Sequence, residues 1–323
     1  MTAEAKIESE GIDFAIDGHC DILFEMFTSH SDVPFDTLND LPVTLDKLKK
    51  AKVFVTVAAL YCPDSHNGAG SADFLSGLVA YAEKFLTGLS RIRSSRELND
   101  CIEQKRPGTI WLLENADALL DFDRTKLAQT GIRVAGLTHM GKNRIGDGNN
   151  VPVPEGLTDK GKDLVKELSR DGFAFDTAHL AEPGFRDLSR ICEGPIISSH
   201  TGVRSLCNTP RNLTREQIAV ILDRKGIIGI AADPEMLATS GQASIEDIFH
   251  HIDWIAQSFE IDGIGVGTDF CGFHTRNAGF EDITRMTDLA RVMLAHGYPV
   301  ESVQKIMGEN WRCFYDSLLR WSP

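Results

Sequence analysis

The sequence lacks any long hydrophobic run. Its longest apolar stretch, Val53 to Tyr61, has the length of a β-strand and falls far short of the roughly 20 apolar residues that cross a bilayer. The N-terminus, MTAEAKIESEGID, is polar and acidic, whereas a secretory signal begins with basic residues and continues with an apolar run. We therefore expect a cytoplasmic protein without a membrane-spanning helix.

Positive charge and paired cysteines are scarce as well. The 323 residues include 33 Lys and Arg against 47 Asp and Glu, a formal net charge of -14, and such a surface repels phosphate backbones and anionic lipids. The composition thus disfavours nucleic acids and membranes as partners. Seven cysteines are scattered without a CxxC spacing, so we expect free thiols in a reducing compartment.

What the sequence contains is a regular alternation of short β-branched runs and longer amphipathic segments. The segments 159–171, 215–225 and 244–259 have helical spacing, and Gly172 and Gly226 stand where left-handed helix caps are expected. Eightfold alternation favours an α/β fold of the (β/α)8 TIM barrel type, although periodicity alone leaves an open doubly wound sheet as an alternative. The predicted strands are 14–22, 52–61, 108–115, 132–140, 173–180, 195–200, 227–233 and 263–270.

The chain shows no low-complexity linker, internal repeat or change in composition. We therefore predict a flexible N-terminal tail over residues 1–13 and a single barrel domain over residues 14–323. Residues 281–321 are predicted to be mainly helical, with two or three helices that close the barrel.

Unusual polar residues stand at the ends of the predicted strands, where (β/α)8 barrels carry their chemistry. His19 and Asp21 are two positions apart, so both side chains would face the same side of a strand and grip one cation. His179 and His200 could grip a second cation, and Glu114 could bridge the two at roughly 3.5–4 Å. The polar strand-end residues are Asp17, His19, Asp21, Glu114, Thr138, His139, Asp176, His179, His200 and Asp269.

This mixed set of imidazoles and carboxylates suits Zn²⁺, while Mn²⁺ and Co²⁺ stay open as alternatives. Each residue alone is more often structural than functional, and a histidine at a strand end is commonly just hydrogen-bonded. Because almost every apolar run ends in a different metal-capable group, the set as a whole predicts a metal site.

Six segments in chain order resemble the motifs of the membrane (renal-type) dipeptidase family, peptidase family M19. They extend from residue 17 to residue 314, so the resemblance covers nearly the whole chain and points to a bacterial-type soluble member. The segments are Asp17-Gly-His-Cys-Asp-Ile, Leu137-Thr-His-Met-Gly-Lys-Asn with Gly146-Asp-Gly, Phe175-Asp-Thr-Ala-His-Leu, Ser198-Ser-His-Thr with Pro210-Arg-Asn-Leu, Gly267-Thr-Asp-Phe-Cys-Gly and Gly308-Glu-Asn-Trp-Arg-Cys-Phe.

The resemblance implies a binuclear metallo-dipeptidase with two Zn²⁺ ions per chain. His19 and Asp21 would hold one ion, His179 and His200 the other, and Glu114 would bridge them. A hydroxide between the ions would be the nucleophile that attacks the amide bond of a dipeptide, with L-Xaa–D-Xaa substrates included. A homodimer is implied as well.

The resemblance assigns catalytic and substrate-binding roles to three further residues. Asp269 would take the proton of the nucleophile and pass it to the departing amine. His139 would bind the substrate and steady the oxyanion, and Arg211 would bind the terminal carboxylate. The structural alternatives are a turn residue for Asp269, a hydrogen-bonded strand-end histidine for His139 and a solvated surface charge for Arg211. Asp176 is expected to be a structural residue or to support the ligands rather than bind metal itself.

The chain departs from the family pattern at Cys20, Asn115 and Cys271 and in its seventh strand, around residues 229–234. None of these positions is an implied ligand, so the departures affect the expected substrate choice rather than the reaction. A related amidohydrolase that acts on N-acyl amino acids or lactams therefore stays open as an alternative. A non-catalytic metal-stabilised scaffold is disfavoured, because it would need no proton shuttle such as Asp269.

Overall fold

Parallel strands form a nearly closed barrel in the computed structural model, which describes residues 12–275 and 277–320. Eight of the strands follow one another around the barrel in chain order, and the remaining one, β3, pairs only with β4. The strands are β1 (Ala15–Cys20), β2 (Val53–Tyr61), β3 (Ser90–Arg91), β4 (Gly108–Glu114), β5 (Val134–Gly136), β6 (Ala174–Asp176), β7 (Ile196–Thr201), β8 (Ile228–Ile230) and β9 (Ile264–Val266).

Helices alternate with these strands, as the spacing of apolar residues predicts. Thr214 begins α8 with a capping box, in which Thr214 and Gln217 satisfy each other's backbone N–H groups. The helices are α1 (Ile22–Ser29), α2 (Leu45–Lys50), α3 (Ser71–Phe85), α4 (Ser95–Glu103), α5 (Arg124–Thr130), α6 (Asp159–Arg170), α7 (Glu182–Ile191), α8 (Arg215–Asp223), α9 (Pro234–Leu237), α10 (Ile245–Ser258), α11 (Met286–Ala295), α12 (Val300–Gln304) and α13 (Asn310–Arg320). No helix in the described part of the chain combines the length and the apolar character that crossing a membrane requires.

The barrel closes between its first and last strands. The amide of Asp269 donates to the carbonyl of His19 at 3.0 Å, and the amide of Asp21 donates to the carbonyl of Phe270 at 2.9 Å. These bonds lie just beyond β9, at the C-terminal ends of both strands. The TIM barrel prediction is therefore confirmed, and the open sheet is wrong.

Trp311 seals the same seam from α13. Its indole N–H donates to the carbonyl of Val266 at 2.9 Å, and its ring is completely buried. A Cβ atom on Gly18 or Gly265 would lie 2.2 or 2.3 Å from this ring, so both strands carry glycine where the indole packs. The predicted C-terminal helices thus contribute directly to barrel closure; Trp321, at the end of the predicted helical segment, lies outside the described residues.

The helix ends agree only in part with the expected glycine caps. Gly172 is left-handed, with φ of 76°, as predicted. Before β8 the prediction is wrong, because the left-handed residue is Lys225, with φ of 59°. Gly226 has another reason to be glycine, since a Cβ atom there would lie 1.8 Å from the carbonyl oxygen of Ile196. Of the predicted N-terminal tail, residues 1–11 lie outside the described residues, and Ile12 is buried.

His251 makes α10 sensitive to acid. This buried imidazole accepts the amide N–H of Val203 through Nδ1 at 2.8 Å and donates through Nε2 to the carbonyl of Leu237 at 3.1 Å. A second ring proton would sit on Nδ1, where it would face the amide N–H of Val203. Burial lowers the pKa of His251 to about 4. Because the unfolded state takes up this proton near pH 6.5, the contribution of His251 to stability is lost as the pH falls from about 6.5 to 4.

We expect a His251→Gln variant to lose less stability than the parent between pH 7 and pH 4.5. Once the pH is below both pKa values, His251 has lowered the parent's free energy of unfolding by about 3 kcal/mol in total. Urea denaturation at both pH values measures the difference. His250→Gln is the matched control, because the adjacent His250 is exposed, and this variant should keep the parent's pH dependence. If the parent and His251→Gln lost the same free energy of unfolding between pH 7 and pH 4.5, the assignment would be wrong.

Candidate active site

Five strand-end side chains converge in two groups at the mouth of the barrel. In the first, His19 Nε2 lies 3.8 Å from Asp21 Oδ2 and 3.8 Å from Glu114 Oε2. We call these three residues the His19 triad. In the second, Glu114 Oε1 lies 2.9 Å from His179 Nε2 and 3.7 Å from His200 Nε2. Glu114, His179 and His200 form the His179 triad, so each oxygen of Glu114 faces a different triad.

Backbone geometry places these residues in different ways. His19 lies on β1 and Glu114 ends β4, whereas Asp21 is the N-cap residue of α1 rather than part of a strand. His179 comes three residues after β6 with φ of 65°, and Asp269 follows β9 with φ of 61°. Left-handed backbone is costly for residues other than glycine and persists where the surrounding structure imposes it, often at functional sites.

The two triads differ in charge. Burial alone would lower the pKa of His19, but Asp21, Glu114 and Asp269 outweigh it and raise the pKa to about 10. Burial, with the nearby carboxylates of Asp21 and Glu114, also raises the pKa of Asp269 well above its usual range. Acidic groups are therefore concentrated around His19, and a cation there would relieve their repulsion.

The imidazoles of the His179 triad are in the opposite situation. Burial lowers the pKa of His179 and of His200 well below the usual range, and the charge of Arg211 adds to this effect. Both rings are therefore neutral, and their Nε2 atoms lie 3.1 Å apart. Nitrogen atoms of neutral imidazoles at this spacing suit a shared metal ion.

A metal pair fits the residues that are present. His19 Nε2 and Asp21 Oδ1 are buried and have no hydrogen-bond partner within residues 12–275 and 277–320. Polar atoms in this condition are costly unless a ligand or an ion satisfies them. With the shared carboxylate and the neutral imidazoles, these atoms form a donor set of the kind that Zn²⁺ prefers.

Asp269 lies beside the His19 triad without belonging to it. Its Oδ1 is 4.0 Å from His19 Nε2. Gly272 completes this corner, because a Cβ atom there would lie 2.4 Å from both Asp269 Oδ1 and Asp21 Oδ2. The carboxylate of Asp269 is thus packed closely beside Asp21 and the backbone of Gly272.

His139 is held by two residues that sequence reasoning missed. Its Nδ1 lies 3.2 Å from Asp64 Oδ2 and 3.3 Å from the hydroxyl of Tyr61, and its ring is 4.3 Å from that of His179. Asp64 also accepts the amide of Gly141 at 2.9 Å. Burial would raise the pKa of Asp64, but the bonds from His139 and Gly141 lower it. Asp64 therefore stays charged and fixes the orientation of His139.

The guanidinium of Arg211 has two terminal nitrogens without hydrogen-bond partners among the described residues. The residue as a whole is half-buried, but both of its terminal nitrogens are buried and lack hydrogen-bond partners in the described structure. Burial lowers the pKa of Arg211, while the carboxylates of Asp269 and Glu114 oppose this change. The alternative of a solvated surface charge is wrong, because the guanidinium nitrogens do not reach solvent.

Two of the departures from the family pattern, Cys20 and Asn115, have local explanations. Cys20 donates through its thiol to the carbonyl of Phe270 at 3.4 Å. Asn115 is left-handed, with φ of 72°, and its amide donates to the carbonyl of Cys62 at 2.7 Å and to Asn67 Oδ1 at 2.8 Å. Asn tolerates this conformation better than most residues, so the backbone after Glu114 is kept without glycine.

Known proteins resemble this chain along nearly its whole length. The sequence model of the family described as membrane dipeptidase (peptidase family M19) matches residues 12–314. Dipeptidase tcpJ of Claviceps purpurea is 24% identical, and the match covers 96% of this chain and 78% of that protein.

Two solved structures share the fold. Dipeptidase AC, described as a metallo peptidase of family M19, superposes with a TM-score of 0.85 at 25% identity, and the match covers 95% of this chain and 98% of that one. A metallo peptidase from Rhodobacter sphaeroides, solved with a phosphinate mimic of the dipeptide L-Ala-D-Ala, superposes with a TM-score of 0.83 at 24% identity, and the match covers 96% and 99% of the two chains.

Proposed function

Because this chain belongs to the membrane dipeptidase family, peptidase family M19, we propose that it is a zinc enzyme that cleaves dipeptides with a free C-terminal carboxylate. Membership makes it a metallo dipeptidase, a hydrolase that acts on peptide bonds. The proposal adds the identity and number of the metal ions, the roles of the residues and the class of dipeptide.

The sharing of Glu114 between the two triads carries this proposal. Its two oxygens face His19 and Asp21 on one side and His179 and His200 on the other. Such an arrangement would hold two Zn²⁺ ions with one bridging carboxylate. When bound, the ions would supply a water of lowered pKa and would polarise the amide carbonyl of the substrate.

The remaining residues handle the proton and the substrate. Asp269 lies beside the His19 triad, where its carboxylate would take a proton from the attacking water and deliver it to the departing amine. His139, oriented by Asp64, would steady the oxygen that gains negative charge. Both roles need side chains in fixed positions, and both side chains are largely buried.

Arg211 supports the choice of dipeptides. A buried guanidinium with both terminal nitrogens free is matched to a carboxylate, which it would bind through two parallel hydrogen bonds. A peptide continued beyond its second residue would bring a neutral amide to this position and leave the charge of Arg211 unpaired. The Rhodobacter sphaeroides relative was solved with a mimic of L-Ala-D-Ala, so we include substrates with a D-residue at the C-terminal position.

We expect Arg211→Met to lower kcat/KM for L-Ala-L-Ala and L-Ala-D-Ala by roughly 100-fold, because the carboxylate would be buried without its partner. Steady-state kinetics with the free dipeptides and with their C-terminal amides measures the effect. The amides lack the charge, so the same substitution should change their hydrolysis little. An equal loss on both kinds of substrate would mean that Arg211 has a structural role instead.

Elemental analysis combined with a substrate panel tests the proposal. We expect two equivalents of zinc per chain and expect a chelator to remove metal and activity together. Unblocked dipeptides should be cleaved faster than their N-acetylated counterparts. Faster cleavage of the blocked compounds would refute the dipeptidase assignment, and a chain that binds no metal when active would refute the metal centre.

A further inference from the structure

A buried hydroxyl lies between the two triads. Ser199 is on β7 and is completely buried. Its Oγ lies 2.9 Å from Nδ1 of His19 and 2.9 Å from Nδ1 of His200. It also hydrogen-bonds to Oδ2 of Asp176. Since His19 belongs to one triad and His200 to the other, a single hydroxyl group contacts both.

The hydrogen bonds around Ser199 can be satisfied in one consistent way. Oδ1 of Asp176 accepts the amides of Ser199 at 2.8 Å and Ala178 at 3.1 Å. Burial raises the pKa of Asp176, and the hydrogen bonds from Ser199 and Ala178 oppose this change. A carboxylate only accepts, so Ser199 donates its one hydrogen to Asp176. The hydroxyl oxygen then accepts from Nδ1–H of both imidazoles, so in the neutral form of each ring the nitrogen without hydrogen is Nε2, which faces Glu114 and can bind a metal ion.

The backbone around Ser199 brings adjacent residues into the same interior. The pairing of β7 with β8 shifts register between Ser198 and Thr201, which departs from the strict alternation of a regular strand. Gly229 on β8 and Gly267 just after β9 allow close approach, because Cβ atoms on these glycines would lie 2.0 and 1.9 Å from the carbonyl oxygen of Ser199. Ser199 and His200 can therefore both serve the site.

We propose that Ser199, oriented by Asp176, is a positioning residue that fixes the tautomer of one metal ligand in each triad. The inference rests on the proposed two-metal centre. A partner on the far nitrogen of a ligating histidine fixes the orientation of the ring and makes it a better ligand. Here one hydroxyl supplies that partner twice, so its loss weakens both metal positions together.

Asp176, His19 and His200 also lie close enough to hold an ion themselves. The hydroxyl of Ser199 contacts all three of these side chains, and its hydrogen-bonding capacity is complete. An ion there would take the Nδ1 atoms as ligands and leave Nε2 protonated toward Glu114, which is incompatible with metal ions in the proposed His19 and His179 triads. The Asp176 carboxylate is therefore a hydrogen-bond acceptor for the centre and not a third metal position.

The first test compares Ser199→Ala with Ser198→Ala in the zinc-loaded protein. Ser198 is the adjacent buried serine, and its Oγ has no hydrogen-bond partner among the residues that the structure describes. Competition with a chromophoric chelator measures the affinity for each zinc equivalent. Ser199→Ala should bind both equivalents roughly 10- to 100-fold more weakly, and Ser198→Ala should match the parent.

The second test uses Asp176→Asn, which keeps the shape of the side chain. Its amide oxygen would accept the two backbone N–H groups, and its NH₂ group would donate to Ser199. The hydroxyl hydrogen must then point to one imidazole, whose own hydrogen moves from Nδ1 to Nε2, so that this ring is lost as a zinc ligand. NMR of the zinc-loaded protein with ¹⁵N-labelled histidine should show two Nδ1–H signals from His19 and His200 in the parent and lose one of them in the variant, a change that mere destabilisation does not produce.

The outcomes separate this inference from the proposed function. If the parent binds two zinc ions and Ser199→Ala binds both as tightly, the positioning role is wrong and the metal centre stands. Retention of both Nδ1–H signals in Asp176→Asn would overturn the role of Asp176 in the same way. A parent that binds no zinc would refute the metal centre and, with it, this inference.

Discussion

An Asp269→Asn variant is expected to lose activity by roughly 10²- to 10⁴-fold in kcat while it keeps both metal ions. Asn has nearly the same shape as Asp and preserves the packing against Gly272, but its amide cannot take up a proton at the pH of the reaction. Asp269 lies outside both triads, 4.0 Å from His19 Nε2, so the proposed metal ligands are untouched. Steady-state kinetics and zinc analysis of the same preparation measure the two effects.

The matched control for this variant is Asp262→Asn. Asp262 precedes the same strand, β9, at its opposite end, where its side chain is 65% exposed and pairs with Lys305. This substitution removes the same charge from the chain and should leave kcat at the parent value. If Asp269→Asn turned over dipeptides at the parent rate, Asp269 could not be the proton carrier. If it lost zinc as well as activity, Asp269 would be a metal ligand instead.

A Glu114→Gln variant is expected to lose zinc from both positions and, as a consequence, all measurable activity. An amide has one oxygen and no charge, so it cannot face both triads as the carboxylate does. Loss of a residue that supports a metal ligand commonly weakens binding by 10- to 100-fold, and Glu114 contacts both triads directly, so we expect a loss of more than about 100-fold. Zinc analysis after gel filtration and chelator competition measures it.

Glu103→Gln provides the control for the loss of charge. Glu103 is exposed at the end of α4, shortly before the same strand, β4, begins. This variant should bind two zinc ions and cleave dipeptides like the parent. Thermal unfolding of metal-free protein checks that Glu114→Gln is still folded. If folded Glu114→Gln kept two zinc ions at parental affinity, the bridging role would be wrong.

Much of the fold follows from the pattern of apolar residues. Because buried parallel strands need continuous β-branched and apolar residues, each of the eight predicted runs overlaps with one barrel strand, although β7 extends one residue further, to Thr201. The short strand Ser90–Arg91 could not be predicted in this way, since two polar residues form no run and pair only because β4 lies beside them. The apolar pattern also gives no sign of the left-handed conformation of Lys225.

The candidate site could be predicted in part for a related reason. The ends of parallel strands meet at one edge, so polar residues after different strands come together, as His19, Glu114 and His200 do. The strand pattern could not predict the conformation of His179 and Asp269. The predicted strands include both residues, but the observed strands end three residues earlier and both residues are left-handed. Ser199 and Asp64 carry no local signal, because their roles come from partners about 180 and 75 positions away.

The seam between the first and last strands also sets when the site can form during synthesis. His19 and Asp21 leave the ribosome about 250 residues before Asp269 and Phe270, to which backbone hydrogen bonds join their strand. The nascent barrel therefore stays open and lacks Asp269, the proposed proton carrier, until its last strand has been made. Only after the last strand and Trp311 have emerged can the chain complete its centre, so truncated products from interrupted translation would be inactive.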